Sequence, residues 1–343
     1  MKNPPPPGHD APKGEWRRWA AGFDRSGSSE PVAAQLLQWP PLHGVVATYL
    51  AMATEIDLGV LLELDRCRIG VPRIETSGMM TIRAFRPDRL ETHPMGFEQP
   101  VEASQRIPPE DIDIVLVPGL AFDRRGGRLG HGKGFYDSLL AQLPASTARI
   151  GITTDASIVG ALPTDDHDQP VDWIATESGI DWVRGPLTAD TRRVMQRAIE
   201  AGIAPRMHRF PEGTKTSKAA AKAVGCQLGA IAKSLVFEVD SRPVLVLCSG
   251  DRRVDEVRLA AYFGGVDARP ASRDRVQQIT GYPAGGTPAL GHATRLDVVA
   301  DVSLARYRWV WTAGGTVDTV FPVLLERLLA ASGARWAEIT TRG

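Results

Sequence analysis

Cysteine is scarce. Cys67, Cys226 and Cys248 are the three in 343 residues, and no two form a CxxC pair. Such scattered thiols offer no zinc framework and no disulfide lattice, and they suit a reducing compartment, so the chain is expected to be cytoplasmic. Long apolar runs are missing too: none approaches the ~20 residues that a membrane span needs, and no membrane partner is expected. Residues 3–7 (NPPPP) are polar or proline, with no apolar core of a secretory leader, and read as a disordered tail. There is no internal repeat, and no low-complexity segment beyond these prolines. Net charge is absent overall, with 40 Lys+Arg against 40 Asp+Glu. It is unevenly spread, however: residues 188–343 hold 22 against 15, leaving 18 against 25 for residues 1–187. The asymmetry suggests two domains and mildly favours a polyanion on the second half, although ordinary surface variation gives the same imbalance.

What is present is organised around residues 113–140. Ile112, Ile114, Val115, Leu116 and Val117 form an apolar run that stops at Pro118-Gly119, the pattern of a short strand buried on both faces. A loop follows with Gly126, Gly127, Gly130, Gly132 and Gly134, carrying Arg128 and Lys133 between them. From Tyr136 the pattern becomes helical, with Leu139, Leu140 and Leu143 on one face. Strand, basic glycine loop and helix make a phosphate cradle: glycine lets backbone N–H groups approach an anion, and the helix N-terminus adds partial positive charge. Gly127, Gly132 and Lys133 nearly complete a Walker A loop. The magnesium-binding Ser or Thr that should follow is Gly134, which excludes a P-loop NTPase.

Pro118-Gly119, Phe122-Asp123 and the run Gly127-Arg128-Leu129-Gly130-His131-Gly132-Lys133-Gly134-Phe135-Tyr136-Asp137 resemble the 5-formyltetrahydrofolate cyclo-ligase (methenyltetrahydrofolate synthetase) family. The resemblance implies an α/β three-layer, Rossmann-like fold, with ATP and Mg2+ as cofactors and a reduced folate as substrate. It implies that Arg128, Gly130, His131, Gly132, Lys133, Gly134, Phe135 and Tyr136 hold ATP, that Phe135 and Tyr136 wall the folate, and that Arg128, Lys133 and Tyr136 serve catalysis. Phe135 stands where the family often has Tyr, so one hydroxyl contact is lost. Lys13 and Arg17 fall four apart on one face of an expected helix and by spacing alone read as solvated; the resemblance makes them an ATP grip. Glu55 follows a second expected strand (residues 43–52) and precedes a helix with Leu58, Leu61 and Leu62 apolar. It reads either as an acidic residue offsetting a helix dipole or, by the resemblance, as a folate contact. The loop 164–172 holds Asp165, Asp166, His167 and Asp168, a cluster that suits metal or simply water. The resemblance narrows this to Asp137 and Asp168 near magnesium, whose preference is for hard oxygens and phosphates.

Near residues 186–188 the chain leaves the first domain, and Thr188 or Asp190 caps a helix running to about Ala201. Strands are expected at 231–239 and 243–248 about the turn Asp240-Ser241, with further strands at 298–302 and 308–312. Helices are expected at 216–224, at 254–263 with Val257, Leu259, Ala260 and Phe263 inward, and at 320–329. This is an α+β pattern. Gly225-Cys226, Lys233-Ser234-Leu235-Val236-Phe237, Ser249-Gly250, Arg253-Val254-Asp255 and Thr280-Gly281 through Gly291-His292 resemble the YbaK/prolyl-tRNA-synthetase-associated editing family. The resemblance implies hydrolysis of a mischarged aminoacyl-tRNA, one for proline, by an ordered water, with oxyanion stabilisation from backbone N–H groups and help from the tRNA 2′-hydroxyl. Lys233, a lysine in an apolar strand, needs a partner or an outlet to water. It reads as a snorkelling edge lysine or, by the resemblance, as the residue facing the tRNA 3′ end. Gly285 and Gly286 belong to the substrate loop, where Ala289 stands in place of the family's final proline. Cys248 reads as a core cysteine.

The expected organisation is a cyclo-ligase domain over 1–187 and an editing domain over 188–343, with reduced folate and mischarged tRNA as partners. The alternative for the second half is a non-catalytic tRNA-binding or regulatory module.

Overall fold

The computed structural model describes residues 5–8, 10–23, 25, 27–210 and 216–342. Two residues of the expected proline tail, Asn3 and Pro4, lie outside them. The chain divides into two compact units, Met1–Pro186 and Leu187–Gly343.

In the first unit the described residues form a sheet ordered Gly179–Trp182, Trp173–Thr176, Ala148–Ile152, Ile114–Pro118, Gly44–Ala47, Cys67–Ile74, Met80–Ala84, Arg106–Ile107. The inner strands run parallel, and antiparallel strands close both edges. Ile114–Pro118 is buried at every position, as a parallel strand covered on both faces must be. Side chains alternate across it. Val115, Val117 and Ile174 share one core with Leu139 and Leu140 of helix α3 (Phe135–Gln142). On the other face the Trp173 ring meets Trp39, which ends helix α2 (Ser29–Gln38), at 5.8 Å. Helices thus cover both faces, giving three layers.

Several expected elements differ. The strand expected over 43–52 is shorter, Gly44–Ala47, with one further bond from the Thr48 amide to the Gly70 carbonyl. The helix expected after Glu55 is a short 3-10 turn, Gly59–Glu63. In the polar, proline-bearing stretch 94–107, Glu98–Pro100 and Arg106–Ile107 pair with other strands. Gly179–Trp182 is an edge strand of the large sheet.

The second unit has a sheet ordered Ala268–Pro270, Ala232–Val239, Arg242–Ser249, Asp297–Asp301, Arg335–Ala337. Asp240 and Ser241 join its central hairpin with φ of 47° and 69°, the left-handed pair of a tight hairpin turn. A second sheet holds His208–Arg209, Thr319–Leu324 and Trp309–Ala313. Helices α4 (Ala189–Glu200), α5 (Ser217–Val224), α6 (Glu256–Tyr262), α7 (Arg273–Thr280) and α8 (Leu325–Ser332) accompany them. The Thr188 hydroxyl caps α4 by accepting from the Thr191 amide at 3.1 Å. The helix expected over 320–329 is half strand: Thr319–Leu324 is buried at every position, so no period marks it, and Pro322 lacks the N–H that a helix needs. Residues 252–254 pair with Thr340–Arg342 instead of opening α6. Val257 is 79% exposed while Leu259 is buried, because two helical positions differ by about 200°.

Candidate functional site

The glycine loop owes its shape to two residues of the same motif. Asp123 is 2% exposed. Its Oδ1 accepts from the Arg125 and Gly127 amides at 2.9 and 2.8 Å, and its Oδ2 from the Leu162 amide at 3.0 Å. Phe122 lies against Gly119 and Gly151, where an added Cβ would fall 2.5 and 2.4 Å from its ring. The loop then delivers Gly134 to the start of α3 at φ 71°, with nothing within 4 Å of where a Cβ would point. A side chain there is disfavoured by the left-handed backbone rather than by crowding.

Above this loop is a cavity of about 510 Å³. Its walls include every expected residue of the first unit: Lys13 and Arg17 of helix α1 (Lys13–Ala21), Glu55, Arg128, Gly130, His131, Gly132, Lys133, Gly134, Phe135, Tyr136, Asp137 and Asp168. One wall was not foreseen. Tyr49, Leu50, Pro72, Ile74, Met80, Met95 and Phe97 make an apolar side to the cavity. They come from separate strands and turns, and no spacing marks them. Tyr49 has a further part, donating its hydroxyl to the Ile56 carbonyl at 2.8 Å beside Glu55.

The charges are arranged in pairs. Arg17 Nε donates to the Gly130 carbonyl at 2.9 Å, and its guanidinium occupies the space beside Gly132. Arg128 Nη2 donates to Asp137 Oδ2 at 2.9 Å, and Asp137 Oδ1 accepts from the Gln169 amide at 3.1 Å. Lys13 Nζ lies 2.7 Å from Asp165 Oδ2 and 2.5 Å from Asp168 Oδ2. Burial alone would lower the Lys13 ammonium, but hydrogen bonds to the two aspartates outweigh it and raise its pKa. Burial raises the Glu55 carboxyl, opposed by the Met52 amide at 3.0 Å and by Arg25. Burial likewise raises the Tyr136 phenol. His131, 3.8 Å from Glu55, is held low by burial and then by Arg128, Arg25 and Arg17. Lys133 is exposed and has no ion-pair partner among the described residues, so its ammonium is available to an incoming anion.

Asp165, His167 and Asp168 bring their donor atoms within 4.8 Å of one another. Carboxylate oxygens at the edge of this cavity fit a hard cation such as magnesium. Asp168 belongs to this group. Asp137 lies outside it and is bonded to Arg128 and the Gln169 amide, as Asp165 and Asp168 are to Lys13.

In the second unit Lys233 sits opposite Cys248 on the neighbouring strand. Its Nζ donates to the Arg252 carbonyl, so the lysine reaches the sheet's end rather than open water. Cys248 is fully buried, and burial pushes its thiol up to about 11, which keeps it protonated. Gly285 adopts φ 90°, and a Cβ on Gly286 would fall 2.7 Å from the Thr316 backbone carbon. Lys233 is hydrogen-bonded to Arg252, not to the Gly285–Gly286 loop. At the end of the same hairpin Ser249, of the Ser249-Gly250 motif, belongs to a cluster whose Arg306 no motif announced. Arg306 Nη2 donates to Ser249 Oγ at 3.0 Å and to Asp251 Oδ1 at 2.9 Å, and the Arg306 bonds hold the Asp251 carboxyl low.

Comparison with known proteins matches residues 24–177 to the 5-formyltetrahydrofolate cyclo-ligase family and residues 211–331 to the aminoacyl-tRNA editing domain. The 5-formyltetrahydrofolate cyclo-ligase of Mycolicibacterium smegmatis is 28% identical over 166 residues, 47% of this chain and 79% of that protein. The proline–tRNA ligase of Citrifermentans bemidjiense is 31% identical over 153 residues, 44% of this chain but only 26% of that ligase. A solved 5,10-methenyltetrahydrofolate synthetase from Aquifex aeolicus is 30% identical, covering 51% of this chain and 95% of that one with a TM-score of 0.46. The chain is thus a mixed α/β protein of two modules. Its first part matches the 5-formyltetrahydrofolate cyclo-ligase family and its second the aminoacyl-tRNA editing domain.

Proposed function

We propose that the protein is bifunctional: residues 1–187 convert 5-formyltetrahydrofolate to 5,10-methenyltetrahydrofolate with ATP and magnesium, and residues 188–343 hydrolyse mischarged aminoacyl-tRNA, one for proline. The observation that carries the first activity is the single cavity that gathers Lys13, Arg17, Glu55, the Gly130–Gly134 loop, Tyr136 and three aspartates. In the proposed reaction the formyl oxygen on N5 attacks the γ-phosphorus and ADP leaves. N10 then attacks the activated carbon, the carbon–oxygen bond breaks, phosphate departs and N10 gives up its proton. Phosphoryl transfer of this kind needs positioning and charge neutralisation rather than a protein nucleophile. Lys133 supplies a free ammonium, and the backbone of Gly132–Gly134 meets the phosphates at the start of α3. Lys13 exchanges Asp165 and Asp168 for phosphate oxygens, which releases those carboxylates. Asp165 and Asp168 would hold magnesium, whose bound charge offsets that of the β- and γ-phosphates. Arg128, kept in place by Asp137, braces the Tyr136 ring from 5.6 Å. Tyr136 and Phe135 form the polar-edged end of the folate wall, and Met80, Met95 and Phe97 its apolar side.

For the second activity, Lys233 orients the ester end of the tRNA and the glycine-rich loop 281–291 shapes the aminoacyl pocket. Cys248 takes no part, since a buried protonated thiol is a poor nucleophile.

The test is one preparation with two readouts. ATP-dependent appearance of the methenyl product is expected, and its absence would sink the first assignment. Tested on alanyl-, cysteinyl- and seryl-tRNA for proline, the intact protein is expected to hydrolyse at least one ester and Lys233→Ala to hydrolyse none. No hydrolysis of any ester by protein that still cyclises formyl-folate, with salt-sensitive tRNA binding, would make the second domain a binding or regulatory module.

A further inference from the structure

Helix α4 lies outside the matched editing segment, which begins at residue 211. It nonetheless holds the glycine-rich loop at both ends. Arg193 Nη2 donates to the Gly281 carbonyl at 2.7 Å, and Arg193 Nε donates to the Tyr282 hydroxyl at 2.9 Å. The same hydroxyl donates to the Gly291 carbonyl at 3.0 Å. Tyr282 is 0% exposed, and the Arg193 guanidinium lies 4.1 Å from its ring centroid. Asp190, one turn earlier on α4, takes a third bond from Arg193 at 3.1 Å.

One turn later on the same helix face, Arg197 Cγ comes within 3.1 Å of where a Gly291 side chain would start. The N-terminal end of α4 also reaches the loop's support. A Cβ on Gly315 would fall 2.9 Å from the Asp190 backbone, and the next residue, Thr316, is the one that backs Gly286. The loop is therefore pinned at its first residue, at its last residue and behind its middle, and α4 takes part in each.

We infer that Arg193 and Tyr282 are positioning residues for the deacylation: through them α4 sets the shape of the 281–291 loop. The inference rests on the reading of this loop as the aminoacyl pocket. A loop that holds a reacting ester must keep its backbone within about 0.5 Å of the productive geometry, and a displacement near 1 Å costs on the order of 100-fold in rate. Removing the Tyr282 hydroxyl leaves both the Gly291 carbonyl and Arg193 Nε without their partner, and the neck of the loop opens.

The test compares wild type with Tyr282→Phe, which keeps the buried ring, and with Arg193→Ala and Arg193→Lys, all in the full chain. Tyr282→Phe and Arg193→Ala are expected to lower kcat for deacylation by roughly 10- to 100-fold while KM for the tRNA changes little. Arg193→Lys should recover part of the loss, since an ammonium can reach one of the two acceptors. Methenyl-folate formation, in the other unit, should not change. Amide exchange in residues 283–292 should quicken in Tyr282→Phe with the flanking strands still protected. Wild-type deacylation together with unchanged loop exchange in Tyr282→Phe would overturn the inference. If the wild type itself deacylates nothing, the functional reading fails, and exchange decides the bracing: faster exchange confined to the loop supports it, unchanged exchange overturns it.

Discussion

The two glycine-rich loops of this chain are alike in composition and opposite in use. In the first unit Gly126 is packed against the Val171 carbonyl, but further along the same loop Gly134 has nothing within 4 Å of its missing side chain and Gly132 meets the Arg17 guanidinium. Their bareness keeps room for a ligand beside a helix N-terminus. In the second unit Gly286 is bare because the Thr316 backbone lies where a Cβ would be, and Gly291 because Arg197 and the Tyr282 hydroxyl crowd it. There glycine lets one piece of chain pass against another. On the proposed reading the Gly132–Gly134 stretch of the first loop would receive an anion, whereas the second loop is a frame packed against what lies behind it. A glycine-rich stretch therefore says that something comes close, without saying whether it is ligand or protein.

The sharpest way to break this comparison is Lys133→Ala. If the first loop is an anion receptor, methenyl formation should fall by about 10² to 10³, as when one preorganised charge-stabilising group is removed. Deacylation should be untouched, and steady-state rates of both reactions would show it; unchanged cyclisation would remove the loop from the chemistry. Gly286→Ala comes next. Its new Cβ meets backbone 2.7 Å away, so the second unit should lose roughly 1–3 kcal/mol, the usual penalty for overpacking. A thermal melt at the wild-type temperature would show that the frame is slack. Gly134→Ala meets no atom and carries only the left-handed backbone penalty, roughly 1–2 kcal/mol. A melting loss larger than that of Gly286→Ala would reverse the roles assigned to the two loops.

The smallest effect is that of pH. His292 Nε2 lies 2.9 Å from the Pro288 carbonyl within the second loop, and burial holds its imidazole below the ordinary value. A depressed histidine contributes stability above its unfolded pKa that is lost as pH falls through the folded one. Amide protection of the second loop should therefore begin to decline below about pH 6.5. Lys13 is shifted the other way. Its contribution to the first site is complete below its unfolded pKa and is lost only as pH rises through the raised one, above about pH 10.4. Exchange measured between pH 5 and 8 on the intact chain, with the range set by where histidine titrates, should soften the second loop and leave the Lys13 contacts unchanged. Equal softening of both would refute the assignment.

Much of the first site was legible because its residues sit close together in the chain. Residues 128–137 carry both the cations and the bare glycines, and a strand buried on both faces announces itself as an unbroken apolar run. The spacing of Lys13 and Arg17 correctly put them on one helix face. Their partners were not readable, since Arg17 bonds Gly130 and Lys13 bonds Asp165 and Asp168 across the fold. The strand Thr319–Leu324 was misread because full burial erases the alternation that distinguishes strand from helix. Asp137 was placed near magnesium by the family resemblance alone, and its bond to Arg128 across the loop was not readable from the chain.

By itself the sequence determined where backbone would be bare, where charge would gather and which of the clearly patterned segments would be strand or helix, because local propensity, periodicity and glycine content act over a few residues. Only the tertiary structure decided which charges neutralise each other, which apolar residues line the first unit's cavity and what stands behind each glycine. Those contacts join residues as far apart as Lys13 and Asp168, or Arg193 and Tyr282. Such pairs meet only once the sheets have closed and packed, and no local pattern in the chain encodes the meeting.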